Sequence, residues 1–409
     1  MLHSRQETDQ AASRPKLSPL WGSLLYLVLL IVFVEVALQG FYWSTAGDFL
    51  FRRTGVPIYA RERHAGFGNR PGLSFDHRTN EFHARYYVNQ AGFRVPRPEL
   101  EYMLAKPNNT YRVMILGPSF AYGWGVEYQQ SFAGVLEQQL QERRFAREMK
   151  IEIINAGVPA MPTGAQLAWF DRVGKSYTPD LVVQLVYGSM AMPDISTLYA
   201  DVDDNGYLVS ISGYVAPRWY DSLKKLATVF YGWVLWSKLH SQDAPAQTGE
   251  GNAVLGAGRG IFVPPEFDTA HPAVRQAMLV YTELAGSIRA AGARLLVVYV
   301  PLSYAIHRED EVRWRHLGVR DIARQTAFDA AFVRHLNECR IPSIDLTQNL
   351  RKSAEMGKRI YFWLDIHWTA AGNASAARAV ADYLTGAPWA RRSDSATQWL
   401  VRQPTEPCS

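Results

Sequence analysis

The sequence predicts an α/β protein: a parallel sheet with helices on both faces, preceded by one N-terminal membrane-spanning helix. Three observations lead there. Continuous apolar runs recur at Val113-Met114-Ile115-Leu116, Asp180–Tyr187 and Ala293–Val300, as expected for strands covered on both faces. Stretches with helical spacing alternate with them, the signature of parallel strands joined by crossover helices. Ahead of both, Leu20–Leu38 is almost entirely apolar.

In that N-terminal stretch, 13 Leu, Ile, Val and Phe residues together favour insertion by roughly 4–8 kcal/mol. Glu35 opposes this by no more than about 3 kcal/mol, so insertion wins. A cleaved signal peptide would need a shorter apolar core and a small-x-small cleavage site, and neither stands out. Residues 1–18 then read as a cytoplasmic tail and 19–40 as an uncleaved single-span anchor. Arg5, Arg14 and Lys16 precede the span, which points the N-terminus inward, although Arg52 and Arg53 weaken the asymmetry. The expected location is the inner membrane, with the main domain on the periplasmic side.

Residues 41–105 are rich in aromatic residues and arginine, lack a long period, and read as a membrane-proximal segment wrapping the main domain. Within them Tyr86–Arg94 looks like a short strand and turn. The main domain is expected over 106–390. Its helices are predicted at Gln130–Arg147, Thr163–Lys175, His271–Ala291, Asp321–Glu338 and Thr369–Leu384. Further strands are predicted at Lys150–Ala156 and Pro342–Leu346. The alternation lapses over about 192–267, read as an insertion. Inside it Asp201-Val202-Asp203-Asp204-Asn205-Gly206 opens like a calcium loop, but position twelve is Ser212, so the bidentate glutamate is missing. Asn205-Gly206 between apolar flanks is better explained as a hairpin turn. Phe230–Leu239 is aromatic and apolar, suited to packing on the sheet or lying against lipid. Residues 391–409 read as a tail.

Composition excludes little. The chain has 409 residues, 48% hydrophobic and 20% charged, with net charge +5, which is ordinary for a globular protein. No dense Lys/Arg run with interleaved aromatics is present, which argues against nucleic-acid binding. Cys339 and Cys408 lack metal-site spacing; a disulfide between them is allowed but not implied.

The candidate site starts at Gly117-Pro118-Ser119. Glycine and proline stop the buried run of 113–116 in a sharp turn. A serine just past the C-terminal end of such a strand stands where open α/β sheets bind their ligands, so Ser119 is the candidate nucleophile. Asp365-Ile366-His367 is its candidate partner. A histidine two residues after an aspartate lets the carboxylate accept from one ring nitrogen and leaves the other free to take a proton. Read alone, Gly117-Pro118-Ser119 is usually only a turn, and Asp365 more often a helix cap with His367 packed beside Trp368.

Together these blocks resemble the SGNH/GDSL hydrolase superfamily over about Val88–Leu384. Gly117-Pro118-Ser119-Phe120 resembles its nucleophile block. Asn155-Ala156-Gly157-Val158-Pro159 resembles the second block, whose glycine N–H joins the oxyanion hole. Tyr187-Gly188-Ser189-Met190 falls at the third block, normally Gly-Asn, and Asp365-Ile366-His367-Trp368-Thr369 at the last. The resemblance implies a flavodoxin-like three-layer α/β/α sandwich and a Ser119–His367–Asp365 triad. It also implies an oxyanion hole including Gly157 and Ser189, with no metal or organic cofactor. The D-x-H-W form and the anchor are most similar to the membrane-linked branch that includes proteins of polysaccharide O-acetylation. Two departures bear on activity. Pro118 replaces the usual aspartate. Ser189 replaces the asparagine, and losing one oxyanion donor costs about 10²–10³ in turnover.

Three functions fit. One is a membrane-anchored serine esterase acting on an O-acyl ester of a carbohydrate or lipid. Another is an O-acetyltransferase modifying an exported polysaccharide, which implies a membrane acyl-transporting partner. The third is a non-catalytic protein of this fold that binds glycans or scaffolds an assembly. Trp124, Trp363 and Trp368 flank the site and are suited either to sugar stacking or to a core.

Overall fold

A computed structural model describes residues 19–46, 49–79, 81–188, 199–210, 218–240, 267–311, 314, 321–363 and 365–386. Ser189, Ser212, Cys408 and the tails at 1–18 and 391–409 lie outside them. The chain divides into two compact units.

The smaller unit comprises Met1–Arg52 and Arg218–His240. Its helix α1 runs Pro19–Ala46, several residues beyond the expected 19–40, because Phe41-Tyr42-Trp43 continues the apolar pattern without a breaker. Within α1, Leu20–Thr45 has a mean hydropathy of 2.4 and is long and apolar enough to cross a membrane.

The larger unit, Arg53–Pro217 with Ser241–Ser409, is built on an eight-stranded sheet. It begins with a hairpin of β1 (Tyr59–Glu62) and β2 (Gly66–Asn69). Then come β3 (Ser74–Arg78), β4 (His83–Val88) and β5 (Arg94–Val95). The central strand β6 (Thr110–Leu116) leads into a single helical turn, α2 (Ser119–Tyr122). There follow α3 (Phe132–Glu142), β7 (Lys150–Asn155), α4 (Thr163–Arg172) and β8 (Leu181–Tyr187). The insertion contributes a hairpin, β9 (Tyr199–Val202) and β10 (Leu208–Ser210), with Asn205-Gly206 in its turn. It also gives α5 (Arg218–Leu223) and α6 (Ala227–His240) to the smaller unit. The chain closes with α7 (Pro272–Ala290), β11 (Arg294–Val300), α8 (Ile322–Glu338), β12 (Ser343–Asp345), α9 (Thr347–Glu355) and α10 (Ala370–Thr385).

The sheet order is β12-β11-β8-β6-β7-β5-β4-β3. From β7 to β12 every pairing is parallel. Numbered by chain order, those five strands lie 2-1-3-4-5, the flavodoxin-like arrangement, whose topological switch point falls between the first and third strands. That point is the C-terminal end of β6, beside β8. The sheet is not wholly parallel, however. β5, β4 and β3 add three antiparallel strands beyond β7. They come from the segment expected to wrap the domain.

Alternation along the strands makes the layers. Val113, Ile115, Val183, Leu185 and Val298 face a core shared with Leu136 of α3 and Val380 of α10. Met114, Leu116, Val182, Val186 and Val297 face the opposite core with Phe170 of α4, Tyr281 of α7 and Phe332 of α8. Two buried arginines tie loops to this sandwich. Arg112 of β6 pairs with Glu152 at 2.6 Å and donates to the Tyr177 and Leu104 carbonyls. Arg94 of β5 donates to the carbonyls of Tyr122, Gly123 and Val126 and lies between the rings of Tyr86 and Tyr122.

Gly117 ends β6 at φ 141°, and a Cβ there would meet the Leu185 carbonyl oxygen at 2.6 Å. Gly117→Ala is expected to cost more than about 2 kcal/mol. Gly286→Ala, on an open face of α7 with nothing within 4 Å, is expected to stabilise by about 0.5–1 kcal/mol. Thermal or denaturant unfolding of the two variants checks the pair.

Candidate active site

The turn 117–119 leaves β6 at the switch point and opens α2 on Ser119, which is 5% exposed. Its short helix is closed by Gly123 in the left-handed region at φ 81°, whose N–H donates to the Ser119 carbonyl. Arg94 grips the next carbonyls, so the serine turn is held from behind by three hydrogen bonds to one cation.

His367 arrives from the other end of the chain. Tyr361 and Trp368 form an antiparallel bridge, closed by bonds from Phe362 N–H to the His367 carbonyl and from Thr369 N–H to the Ile360 carbonyl. The Thr369 hydroxyl then caps α10 by accepting from Gly372 N–H at 3.2 Å. The imidazole, 8% exposed, sits between Phe120 and Trp124, with ring centroids 5.1 and 5.5 Å away. Those walls fix its plane.

The three predicted residues meet. His367 Nε2 lies 2.5 Å from Ser119 Oγ. His367 Nδ1 lies 2.5 Å from Asp365 Oδ1, which also accepts the His367 backbone N–H at 2.9 Å. Burial works against the charge on Asp365, but the attraction of His367 and its two N–H donors outweighs burial and holds the carboxyl below its ordinary range. Asp365 is therefore ionised near neutrality and fixes Nδ1 as the protonated nitrogen. Nε2 is left as an acceptor for the Ser119 hydroxyl.

The oxyanion expectation is changed. Among the described residues the Ser119 N–H has no acceptor, so it is available to a ligand. The Gly157 N–H is not: it donates to Asn155 Oδ1 at 3.0 Å. Gly157 is a glycine here for packing, since a Cβ would sit 2.4 Å from Tyr122 N. Ser189 lies outside the described residues. Of the three tryptophans, Trp368 is core, 1% exposed and against Phe120. Trp124 is half-buried, and Trp363 is 61% exposed with the Arg359 guanidinium 3.8 Å from its ring centroid.

Sequence reasoning missed four supporting residues. Asn155 Nδ2 donates to the Ala121 carbonyl at 3.0 Å, tying the end of β7 to α2. Glu81 accepts the backbone N–H groups of Trp363 and Asp365 at 2.5 and 2.6 Å, clamping the aspartate loop. Arg94 holds the serine turn. His77 is buried against Trp124 and Phe82. Tyr86 Oη accepts from Gly125 N–H at 2.9 Å and shares a hydrogen bond with His77 Nδ1 at 3.0 Å. Burial, followed by nearby positive charges including Arg53, pushes His77 down to about 3, against the pull of Asp365. Of these, Arg94 alone fell in a stretch read in advance as structured, the short strand and turn of Tyr86–Arg94, and nothing there marked its role.

Residues 261–407 match the family described as "ALGX: SGNH hydrolase-like domain, acetyltransferase AlgX". That stretch includes Asp365 and His367 and excludes Ser119. No curated protein matches the chain. Among solved structures, LAE5, an α/β hydrolase enzyme from the metagenome of Lake Arreo, is 12% identical. It covers 69% of this chain and 100% of its own, with TM-score 0.37. TesA is 13% identical over 68% of this chain and 99% of its own, with TM-score 0.34. A catalytic mutant of Axe2, an acetylxylan esterase from Geobacillus stearothermophilus, is 10% identical over 69% and 97%, with TM-score 0.37.

Two predictions follow from this geometry. Glu81→Ala removes the acceptor of two loop amides, each bond worth about 1.5–3 kcal/mol. Hydrogen exchange at Trp363 and Asp365 is expected to quicken roughly 10–100-fold, read by mass spectrometry of the 359–369 peptide. His77 takes a proton near 6.5 when unfolded and near 3 when folded. Its contribution to stability is complete above pH 6.5 and is lost as the pH falls toward 3, at up to ~1.4 kcal/mol per pH unit. His77→Gln is expected to flatten that limb of the melting-temperature profile.

Proposed function

We propose that this SGNH hydrolase-like chain is a membrane-anchored serine acyl-transfer enzyme. In this reading it takes a small acyl group, acetyl foremost, from an ester donor onto Ser119 and delivers it to a carbohydrate hydroxyl. The observation that carries the reading is the unbroken Ser119 Oγ, His367 and Asp365 line at the sheet's switch point.

Ser119 Oγ attacks the donor's acyl carbon as its proton passes to His367 Nε2. Asp365 holds the ring and stabilises the imidazolium. The tetrahedral oxyanion takes the Ser119 N–H, the donor free among the described residues. Collapse breaks the donor C–O bond, and the leaving alkoxide takes the proton back from His367. The acceptor hydroxyl then gives its proton to His367 as its oxygen attacks the acyl carbon; collapse breaks the acyl–Oγ bond, the new ester leaves, and His367 returns the proton to Ser119 Oγ. No step calls on a metal or an organic cofactor. Pro118 takes no proton in this scheme, so the absence of the usual aspartate is tolerated. An extracytoplasmic site would draw its acyl group from a membrane acyl-transporting partner, and α1 would keep the enzyme beside it.

The family description over 261–407 favours transfer. Hydrolysis is the same chemistry with water as acceptor. The test is labelling of the detergent-solubilised full chain with a fluorophosphonate, beside Ser119→Ala and His367→Ala. Wild type is expected to label and both variants to fall by at least about 10³-fold. Folded wild type that does not label would contradict the reading and favour a glycan-binding or scaffold role. With an acetyl ester and an oligosaccharide acceptor, the ratio of O-acetyl sugar to free acetate separates transferase from esterase.

A further inference from the structure

Glu35 stands in the middle of an apolar helix, where a carboxylate is expected to have a specific partner. Its partner is the N-terminus of α6. Oε1 accepts from Ala227 N–H at 2.8 Å and from Gln39 Nε2 at 2.8 Å. Oε2 accepts from Thr228 N–H at 2.9 Å and from its hydroxyl at 2.8 Å. A side chain of one helix thus satisfies the first free amides of another, with the charge on the favourable end of the helix dipole. Gln39 completes the joint by donating to the Lys225 carbonyl at 2.9 Å.

Glu35, Leu38, Gln39 and Tyr42 follow i, i+3, i+4, i+7 spacing and form the packed stripe of α1. Against it lie Ala227, Phe230 and Tyr231, with Tyr42 edge-on to Phe230 at 5.9 Å and Phe41 beside Tyr231 at 5.8 Å. Side chains turned away from this seam are exposed: Val229 is 41% exposed and Leu235 58% on α6, and Val36 64% on α1. Trp43, Phe49 and Phe51 stack in an exposed row at 6.2 and 5.2 Å. Among the described residues, the large exposed apolar side chains outside this unit are Met103, Leu104, Leu279, Met356 and Trp363 alone.

We infer that Arg218–His240 is a second membrane element. In it α6 lies in the bilayer's interfacial layer, docked on the anchor through Glu35. The inference rests on the reading of α1 as a membrane span. Its occupant is phospholipid, because the bare face of α6 continues the bare face of the spanning helix. With 14 residues α6 is about 21 Å long, too short to cross a core of about 30 Å. About 20 residues of helix from Leu20 carry α1 across that core, so Glu35–Tyr42 sits where the core meets the headgroups. Trp and Tyr concentrate at that depth. Arg52, Lys224 and Lys225 give this unit positive charge suited to anionic headgroups. The joint also assigns Glu35 a structural role in an uncleaved anchor, since cleavage of α1 would strip α6 of its cap.

The experiment uses the full chain in phosphatidylethanolamine/phosphatidylglycerol vesicles. An environment-sensitive dye is placed in turn at Val28→Cys, Val229→Cys, Leu235→Cys and Glu355→Cys, with dye-treated wild type as background. Lipids brominated near the headgroup or in mid-chain quench from the membrane, and iodide quenches from water. The dyes at 229 and 235 are expected to be quenched several-fold more by shallow than by mid-chain bromine and to resist iodide. The dye at 28 should respond to mid-chain bromine, and that at 355 to iodide alone. Glu35→Ala should raise iodide access at 229 several-fold and leave 28 unchanged. Quenching at 28 by lipid, with 229 and 235 open to iodide, would overturn the inference and spare the anchor. Shielding of 229 and 235 from both quenchers would overturn it in favour of a protein partner. Iodide access at all four positions would overturn both readings. An unchanged 229 in Glu35→Ala would remove Glu35 from the docking.

Discussion

The contact between His367 Nε2 and Ser119 Oγ joins residues 248 positions apart, and the larger unit is arranged to make it. The hydroxyl is delivered by the end of the central strand, the imidazole by the loop before the last helix. Each is positioned by backbone that cannot relax independently. Gly117 allows the turn because a side chain would strike the neighbouring strand. The Tyr361–Trp368 bridge and the Thr369 cap fix where α10 starts. Phe120, next to the serine, then packs against His367 and Trp368, so one apolar contact couples the two arms.

Around that contact the structure uses buried polar groups as fasteners that bond to backbone rather than to another charge. Arg94 has no carboxylate among its hydrogen-bond partners; three carbonyls and two ring faces hold it. Asn155 is bonded at both ends of its amide, to the Ala121 carbonyl and the Gly157 N–H. Such arrangements are costly to leave half-made, because a buried polar group without a partner loses its hydration and gains nothing. They therefore set one geometry for the turn and the aspartate loop. The same logic holds in the smaller unit, where Glu35 in an apolar helix is matched by the amides of α6.

The parallel half of the fold was legible because strands buried on both faces read as unbroken apolar runs, and crossover helices as their periodic complement. The antiparallel edge was not. β3 and β4 alternate aromatic with charged or polar residues, as in Phe75-Asp76-His77-Arg78, and the buried face of β4 is covered by residues such as Tyr59, Phe67 and Val202 from distant hairpins. Helix α9 escaped notice because its nine residues are mostly polar and bury Leu350 and Ser353. Ser119, Asp365 and His367 were singled out by the order of the blocks that resemble the hydrolase superfamily, since alone a serine past a strand end reads as a turn and a carboxylate two residues before a histidine as a helix cap. Glu81, Arg94 and His77 were not, since their roles depend on contacts across the fold. The Gly157 N–H, which the resemblance assigns to an oxyanion hole, donates to the Asn155 side chain instead, and in sequence that asparagine is indistinguishable from an ordinary strand-end residue.

The most direct test of the central claim is to look for the acyl group on its proposed carrier. The purified full chain is mixed with an activated acetyl ester, quenched in acid within one turnover, digested and examined by mass spectrometry. The account predicts one acetyl group on the peptide containing Ser119, absent from Ser119→Ala and slow to form in His367→Ala. An unmodified Ser119 peptide from folded protein that consumes the ester, with consumption unchanged in Ser119→Ala, would contradict it.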